Sequence, residues 1–564
     1  MKRKTKVGLL GIVRKTIKNY QKGKEMNRFM KRTTIGSVMR GICYGFATLL
    51  FAASCANDDV AQDEKQKKDN IPAGTTVFTG TSQPDATTRT AILNHTKGTG
   101  ASVNWNSTDK IWVKDDGGNW QQSTTTTIPS SANPSFAKFA LSSTYTGASH
   151  DILYTNKAVT GTQTQVEIKA VQTQVNPNNF DHAGESGDFG IATATKSDNN
   201  YVFTLSHKAS YLCFIPRTNN EYVKRSKLIK VEIMSDDEIA GTYNIAANGA
   251  LTLASGGSKT ITVTTGSGFA IDNAADDMSK NATYAVVAPG THKFRIRYWL
   301  RNTTDNPDGP IEGTVSKIVT LNCTAGLIHD ITANLDPHDY DGTRYYMWDA
   351  QKNYWYDHEW NSVNPWQPVL KGNMNVNYAQ NHSDLRYYNE NYPGSGISNP
   401  AIHTPFTDLP NANEMSWYCM YGAPHRDNDE LWSLMGHIYK GGMWFKKKSV
   451  LKAEGHYNTQ KSADGITDLR TIKKFYDKTP SESLPAVTDI NNYFYLPNLG
   501  LYRYGQFFIA AWGGGFYWSS SADPESGDNA YRLQFNNHGD GVAVDIYDRD
   551  GGLFAQPFSD FGDN

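Results

Sequence analysis

From Gly74 to about Leu335, apolar residues recur at every second position in short runs, and clusters of Thr, Ser, Asn and Gly separate the runs. Tyr201-Val-Phe-Thr-Leu, Leu228-Ile-Lys-Val-Glu-Ile and Phe294-Arg-Ile-Arg-Tyr-Trp show the pattern. Successive side chains of a strand point to opposite faces, so this alternation calls for half-buried antiparallel strands joined by turns. No stretch here sustains a helical period. Sheets patterned this way bury their apolar faces on one another, and the length suffices for two β-sandwiches in series. The boundary between them is expected near Asn199-Asn200, because Phe203-Thr-Leu-Ser-His-Lys-Ala-Ser-Tyr-Leu-Cys-Phe opens a fresh strand pair. That gives sandwiches over 74–199 and 200–338.

Beyond this region the pattern changes. Trp348, Trp355, Trp360 and Trp366 crowd together with Tyr residues, and Gly/Asn-rich loops follow. The spacing of Leu431, Leu434, Met435 and Ile438 predicts a helix over Asn428–Tyr439, capped by Asp427 or Asn428 and ended by Gly441-Gly442. A second helix is expected over Asp468–Tyr476, and Asn413-Glu-Met-Ser-Trp-Tyr reads as a strand or helix entry. The end of the chain returns to strands and turns. The expected fold class is therefore mainly β: two antiparallel β-sandwich domains followed by an α+β domain over 345–564.

The N-terminus reads as an export signal. A Lys/Arg-rich region to Arg40 precedes an apolar run from Gly41 to Ala53, which is shorter than the roughly 20 residues a spanning helix needs. Phe51-Ala-Ala-Ser-Cys55 resembles a bacterial lipobox, which implies lipidation of Cys55 and a signal peptide over 1–54. Met26 begins a signal of ordinary length and is an alternative start. Residues 55–73 mix charges of both signs with few apolar residues, the composition of a disordered tether. The early acidic residues after Cys55 resemble the surface-export signal of Bacteroidetes lipoproteins. With 55 basic and 56 acidic residues, the net charge of −1 gives no argument for nucleic acid as a partner. Five cysteines are widely spread. Outside the signal region Cys213, Cys323 and Cys419 suggest buried thiols, with a Cys213–Cys323 bridge open.

Thr88-Arg89-Thr90, Val103-Asn-Trp105 and Asp109-Lys-Ile111-Trp-Val113 resemble the opening of the fimbrillin-like (type V) pilins of Bacteroidetes. Leu205-Ser-His207-Lys-Ala-Ser-Tyr-Leu, Tyr284-Ala-Val-Val-Ala-Pro289-Gly and Ala325–Leu335 resemble that family's later strands. The resemblance spans roughly 75–336. It implies trimming after a basic residue, with Arg89 the candidate, and joining to a pilus shaft or adaptor subunit by β-strand addition. Trp105, Ile111 and Val113 are expected in the core.

The tail resembles a second family. Leu496-Pro497, Tyr502-Arg503, Gly515-Phe-Tyr517-Trp518-Ser-Ser-Ser521, Asn529-Ala-Tyr531-Arg-Leu533-Gln-Phe535, Val542-Ala-Val544, Arg549 and Gly551 follow one another as in C-type-lectin-like modules of the Fibrobacter major paralogous type. Targets of diversity-generating retroelements share the pattern. The closing strand departs from it, reading Ala555-Gln-Pro557-Phe558. The resemblance implies that Tyr517, Trp518, Ala530, Leu533, Phe535, Val542 and Val544 are scaffold. The ligand-binding candidates lie between them: Tyr502, Tyr504, Gln506, Phe508, Trp512, Phe516, Asn536, Asn537, His538, Asp540, Asp545, Tyr547 and Asp548. Rigid aromatic rings with Asn and Asp suit a recognition face, although loops favour Asn and Asp in any case.

Neither a metal nor a cofactor is expected. Asp427-Asn-Asp429-Glu430 lacks the Gly and distant Glu of an EF-hand and reads as a helix N-terminus. No His-Glu-x-x-His, Gly-x-Ser-x-Gly or P-loop motif occurs, so an enzyme is not expected. Together the readings imply a lipid-anchored protein of the outer membrane surface or fimbrium, acting as a pilus-tip adhesin. Its ligand would be a host, microbial or phage surface protein or glycan. A non-polymerising anchored receptor is the alternative, and a glycan-active surface enzyme a more distant one.

Overall fold

A computed structural model describes residues 71–563, apart from 73, 83–90, 94, 100, 304–309, 391–399, 510–513 and 537–540. The signal, the tether, Cys55 and Arg89 lie outside the described residues, as do Trp512, Asn537, His538 and Asp540. The fold is mainly β, with 45% strand and 8% helix. No helix among the described residues is long and apolar enough to cross a membrane.

An eight-stranded sheet opens the fold. Strand Thr76–Ser82 lies inside it, parallel to Asn200–His207 on one side and antiparallel to Ala137–Leu141 on the other. Its inward residue Phe78 is fully buried, stacked 4.7 Å from Tyr201 among Trp105, Ile111, Val113, Phe139 and Phe203. Trp105, Ile111 and Val113 are thus core residues, as their alternation requires. Strand Asn200–His207 buries every second residue and forms a hairpin with Gly190–Ser197. The division expected at 199–200 therefore falls inside a hairpin. Asp198, at φ +51°, and Asn199 form its turn, where polar turn chemistry resembles that of a linker. The first sheet ends at His207.

The second sandwich packs a nine-stranded sheet against a three-stranded one. The three-stranded sheet runs Thr283–Val287, Ser210–Arg217, Ile328–Asn334, and its last two strands are parallel. Parallel pairs such as this one depart from the purely antiparallel expectation. The nine-stranded sheet does not stop with the sandwich. Strand Ile311–Cys323 meets His425–Leu434 of the C-terminal region at Thr314 and Glu430, and His338–Tyr340 pairs with the same strand. Leu431 and Ile438 accordingly belong to the second sandwich's core.

Two helix expectations are overturned. Residues 425–446 form a hairpin of strands His425–Leu434 and His437–Lys446. Its turn is Met435-Gly436, both at positive φ, the backbone of a two-residue hairpin turn. Leu431, Trp432, Ser433 and Leu434 are all buried, because the strand is covered on both faces. The spacing of Leu431, Leu434, Met435 and Ile438 was a coincidence of two-sided burial. The segment expected as a second helix forms turns and the short strand Tyr476–Lys478. The longest described helix is Ala412–Tyr421, where Asn411 and Glu414 form a reciprocal capping box.

The C-terminal region closes on itself. Its six-stranded sheet runs Tyr345–Tyr346, Leu553–Phe554, Gly514–Ala522, Asn529–Asn536, Val542–Asp548, Tyr476–Lys478. The first and last segments of the region thus pair, and helix Ala412–Tyr421 packs on the sheet.

Candidate binding face

Alternation sorts the C-terminal sheet into two faces. Tyr517, Leu533, Phe535, Val542 and Val544 point into the core shared with helix Ala412–Tyr421. On the other face Phe516 stands opposite Gln534, Arg532 opposite Asp545, and Ala530 opposite Tyr547. Trp518 shares this second face but is buried at its foot, with its indole N–H donating to Tyr346 O at 2.8 Å. All seven expected scaffold side chains are buried.

The second face is organised around one guanidinium. Arg532 donates from Nε to Asp545 Oδ1 at 2.9 Å and lies 4.2 Å over the Tyr547 ring and 5.4 Å from the Phe516 ring. Gln534 donates to the other oxygen of Asp545 at 2.7 Å. Arg503 extends the row, 5.8 Å from the Tyr547 ring, 5.2 Å from Tyr504 and 3.5 Å from Asp548. A cation between aromatic faces is held by the ring quadrupoles and fixes their spacing. Burial raises the Tyr547 phenol's pKa, while Arg503 and Arg532 oppose the shift. Burial and the neighbouring Asp548 push the Asp550 carboxyl up as well.

A tight turn adds the most exposed ring. Strands Leu501–Arg503 and Gln506–Phe508 are joined by Tyr504-Gly505 at φ +50° and +76°. This turn leaves Tyr504 51% exposed, and a Cβ at 505 would strike the Asn375 carbonyl. Gln506 donates to Gly372 O at 2.9 Å.

The structure therefore gathers Tyr504, Phe516, Asp545, Tyr547 and Asp548 from the sequence-derived set. Gln506 and Phe508 lie on the adjoining hairpin, Phe508 half-buried. Asn536 ends its strand, where its carbonyl accepts from Arg426. Tyr502 must be withdrawn. It is fully buried, its hydroxyl donates to Pro368 O at 2.5 Å and accepts from Gln367 Nε2 at 3.1 Å, and its ring stacks 4.7 Å from Phe507. Alternation places Tyr502 opposite to its exposed neighbour Arg503. Arg503, Arg532 and Gln534 were missed. The same alternation could have found Arg532 and Gln534: if Leu533 and Phe535 face the core shared with the helix, Arg532 and Gln534, on either side of Leu533, take the opposite face.

Asp427-Asn-Asp429-Glu430 caps no helix. It forms an irregularity in strand His425–Leu434 at the junction with the second sandwich. There Arg297 donates to Asp427 Oδ1 at 2.9 Å and to Thr314 Oγ1 at 3.0 Å. Glu430 accepts from Ser316 N at 2.9 Å and Ser316 Oγ at 2.6 Å. Burial and Asp427 raise the Glu430 carboxyl, and burial lowers the Arg295 guanidinium to about 10. Cys213, Cys323 and Cys419 are buried free thiols, so the Cys213–Cys323 bridge is not formed.

No family model matches the chain, and no curated protein matches it. Among solved structures, a candidate cell adhesion protein from Bacteroides ovatus aligns over 46% of this chain and 91% of its own, at 12% identity and a TM-score of 0.28. A candidate cell adhesion protein from Bacteroides uniformis covers 44% of this chain and 99% of its own, at 17% identity and 0.25. A fimbrial protein from Bacteroides ovatus covers 85% of this chain and 98% of its own, at 11% identity and 0.23. Scores this low leave the case to be made from this chain's own strands and side chains.

Proposed function

We propose that the protein is a surface-exposed pilus-tip adhesin. It accepts a donor strand in its first sheet and binds its ligand through the C-terminal face, which we read as C-type-lectin-like. The observation that carries this reading is the position of Thr76–Ser82. This strand hydrogen-bonds on both sides and fills the core with Phe78, yet it precedes the candidate trimming residue Arg89. Cleavage there would free the strand, leaving unpaired backbone on Asn200–His207 and Ala137–Leu141 and an apolar slot beside Tyr201. An extended segment of another subunit satisfies both needs at once.

Passing a strand onward is harder. Ile328–Asn334, the last strand of the second sandwich, is paired along its length with Ser210–Arg217 and runs through His338–Tyr340 into the C-terminal sheet system. A subunit that accepts but does not donate stands at the end of a filament. Tyr504 and Phe516, with the exposed charges of Arg503 and Asp548 and held in place around the buried Arg532, offer aromatic surface and fixed charge for a surface protein or glycan.

Immunogold labelling of intact pili with antibodies against residues 346–564 tests the placement. Gold confined to filament ends supports the tip reading. Gold scattered over the envelope beside bare filaments refutes it and leaves an anchored receptor.

A further inference from the structure

The three-stranded sheet of the second sandwich sets reactive side chains in one row. Tyr284 stands opposite Cys213, and Cys213 opposite Asp330. Residues directly opposite on neighbouring strands share a face, so a phenol, a thiol and a carboxylate are brought together by register alone. The loop between strands Ala91–Leu93 and Ser102–Asn104 then lowers His95 onto this row. His95 is 4% exposed and Cys213 fully buried, and one ligand atom from each of His95, Cys213 and Asp330 lies within 4.8 Å of the others.

The hydrogen-bond pattern fixes the imidazole. Tyr284 donates its hydroxyl hydrogen to Asn178 Oδ1 at 2.6 Å, so it accepts from His95 Nδ1 at 3.0 Å. With the proton on Nδ1, the Nε2 lone pair faces Asp330 Oδ1 at 3.5 Å. Both of these atoms are buried without a hydrogen-bond partner. Two lone pairs facing each other in a buried space repel unless something positive lies between them.

We propose that His95 Nε2, Cys213 Sγ and Asp330 Oδ1 bind one zinc-class divalent ion, which clips the Ala91–Leu93/Ser102–Asn104 hairpin to the second sandwich. Imidazole, thiolate and carboxylate are the donor set such an ion takes, and a tetrahedral site with bonds of about 2.0–2.3 Å needs its ligand atoms roughly 3.3–3.8 Å apart. The ring nitrogen held by Tyr284 is the outer support that metal-bound histidines use. Water supplies the fourth position, entering past Asp330, whose side chain is 14% exposed. On binding, the Cys213 S–H bond breaks, a metal–sulfur bond forms and the proton leaves to solvent. The hairpin pairs only with itself among the described strands, so it depends on such tethers. Asp236, Asp237 and His292 form a comparable group. There, however, both ring nitrogens are occupied, Nδ1 by Asp237 at 2.6 Å and Nε2 by Ala288 O at 3.1 Å, so an ion pair accounts for it.

Titration of the chelator-treated protein with Co²⁺, followed by Zn²⁺ competition, tests the site. The expected result is one Co²⁺ per chain with a thiolate-to-cobalt absorption band, displaced by Zn²⁺. Cys213→Ser should abolish the band, and Cys323→Ser, at another buried thiol, should keep it. Tyr284→Phe, which removes the Nδ1 acceptor, should weaken binding by about 10–100-fold without removing the band. Zn²⁺ should also slow proteolysis between residues 89 and 105 in the wild type and not in Cys213→Ser. Absence of a thiolate band in the wild type overturns the proposal even if the variants do not fold. So does a band that survives Cys213→Ser.

Discussion

Phe78→Ala separates the contribution of the first strand from that of the rest of the sheet. The ring is fully buried, stacked on Tyr201 at 4.7 Å and edge-on to Tyr145 at 5.0 Å. Truncating such a ring to Ala costs about 3–5 kcal/mol, for the lost transfer energy and the cavity left behind. In the untrimmed chain this is a loss of folding stability. If Thr76–Ser82 is the removable strand, the same contacts recur between a peptide of residues 74–82 and protein that begins at Thr90. The loss then reads as affinity, and at 1.4 kcal/mol per decade it weakens binding by roughly 100- to 4,000-fold. Fluorescence polarisation of the labelled peptide measures it directly. The wild-type peptide should bind the trimmed protein and the Phe78→Ala peptide should not compete at comparable concentrations. Failure of the wild-type peptide to bind, or a change of less than about tenfold on truncation, would refute the removable-strand reasoning.

Gly80 sits where a Cβ would meet the Phe203 ring at 2.7 Å, so Gly80→Leu in the same peptide should weaken binding in the same assay. Arg532→Ala removes the cation that spaces Tyr547 and Phe516 and leaves Asp545 with one donor fewer; unfolding should show a loss of about 1–3 kcal/mol, and ligand binding by the C-terminal region should fall with it. Arg297→Ala leaves Asp427, whose side chain is 3% exposed, without its cation, and chemical denaturation should register about 3–5 kcal/mol. Desolvation alone would raise the Asp468 pKa, but hydrogen bonds from Arg470 and Asn413 hold it down to about 2. A depressed carboxyl stabilises the fold above its unfolded pKa, near 4, and that stability is lost as pH falls from about 4 towards 2. Asp468→Asn should flatten the stability curve in that window, measured by thermal unfolding.

Strand content was legible wherever one face meets solvent. Asn200–His207 buries alternate residues without a break, as its period-two pattern requires. Legibility failed where both faces are covered. In His425–Leu434 the junction buries Leu431, Trp432, Ser433 and Leu434 in succession, and the apolar positions that remain fit a helical spacing as well as a strand. Local signals were also too short-ranged for Asn199-Asn200, where the same residue types suit a hairpin turn and a linker. The binding candidates divided along similar lines. Tyr502 and Tyr504 entered the candidate set on the same ground, their place between scaffold positions, and only the structure parts them, because a tyrosine with two hydrogen bonds in a core looks identical in sequence to one on a surface. The row of Tyr284, Cys213 and Asp330 was invisible, since only strand register brings those positions together.

The junction between the second sandwich and the C-terminal region bears on how the protein, in the adhesin role proposed for it, would carry load. A flexible linker would let a bound ligand swing freely and would pass force through a few backbone bonds. Here one sheet crosses the boundary, and strand His425–Leu434 is held by Ile311–Cys323, by His338–Tyr340 and by its own hairpin partner. Arg297 and Asp427 lock side chains across the seam with little exposure to water, where screening by salt is weak. Pulling on the C-terminal face would therefore load the sandwich through several strands and a buried ion pair at once. Arg297→Ala thus tests the fold and this coupling together: it should lower the force at which the two parts separate in single-molecule pulling, while the Arg532 face, which lies in a different sheet, keeps its resting affinity.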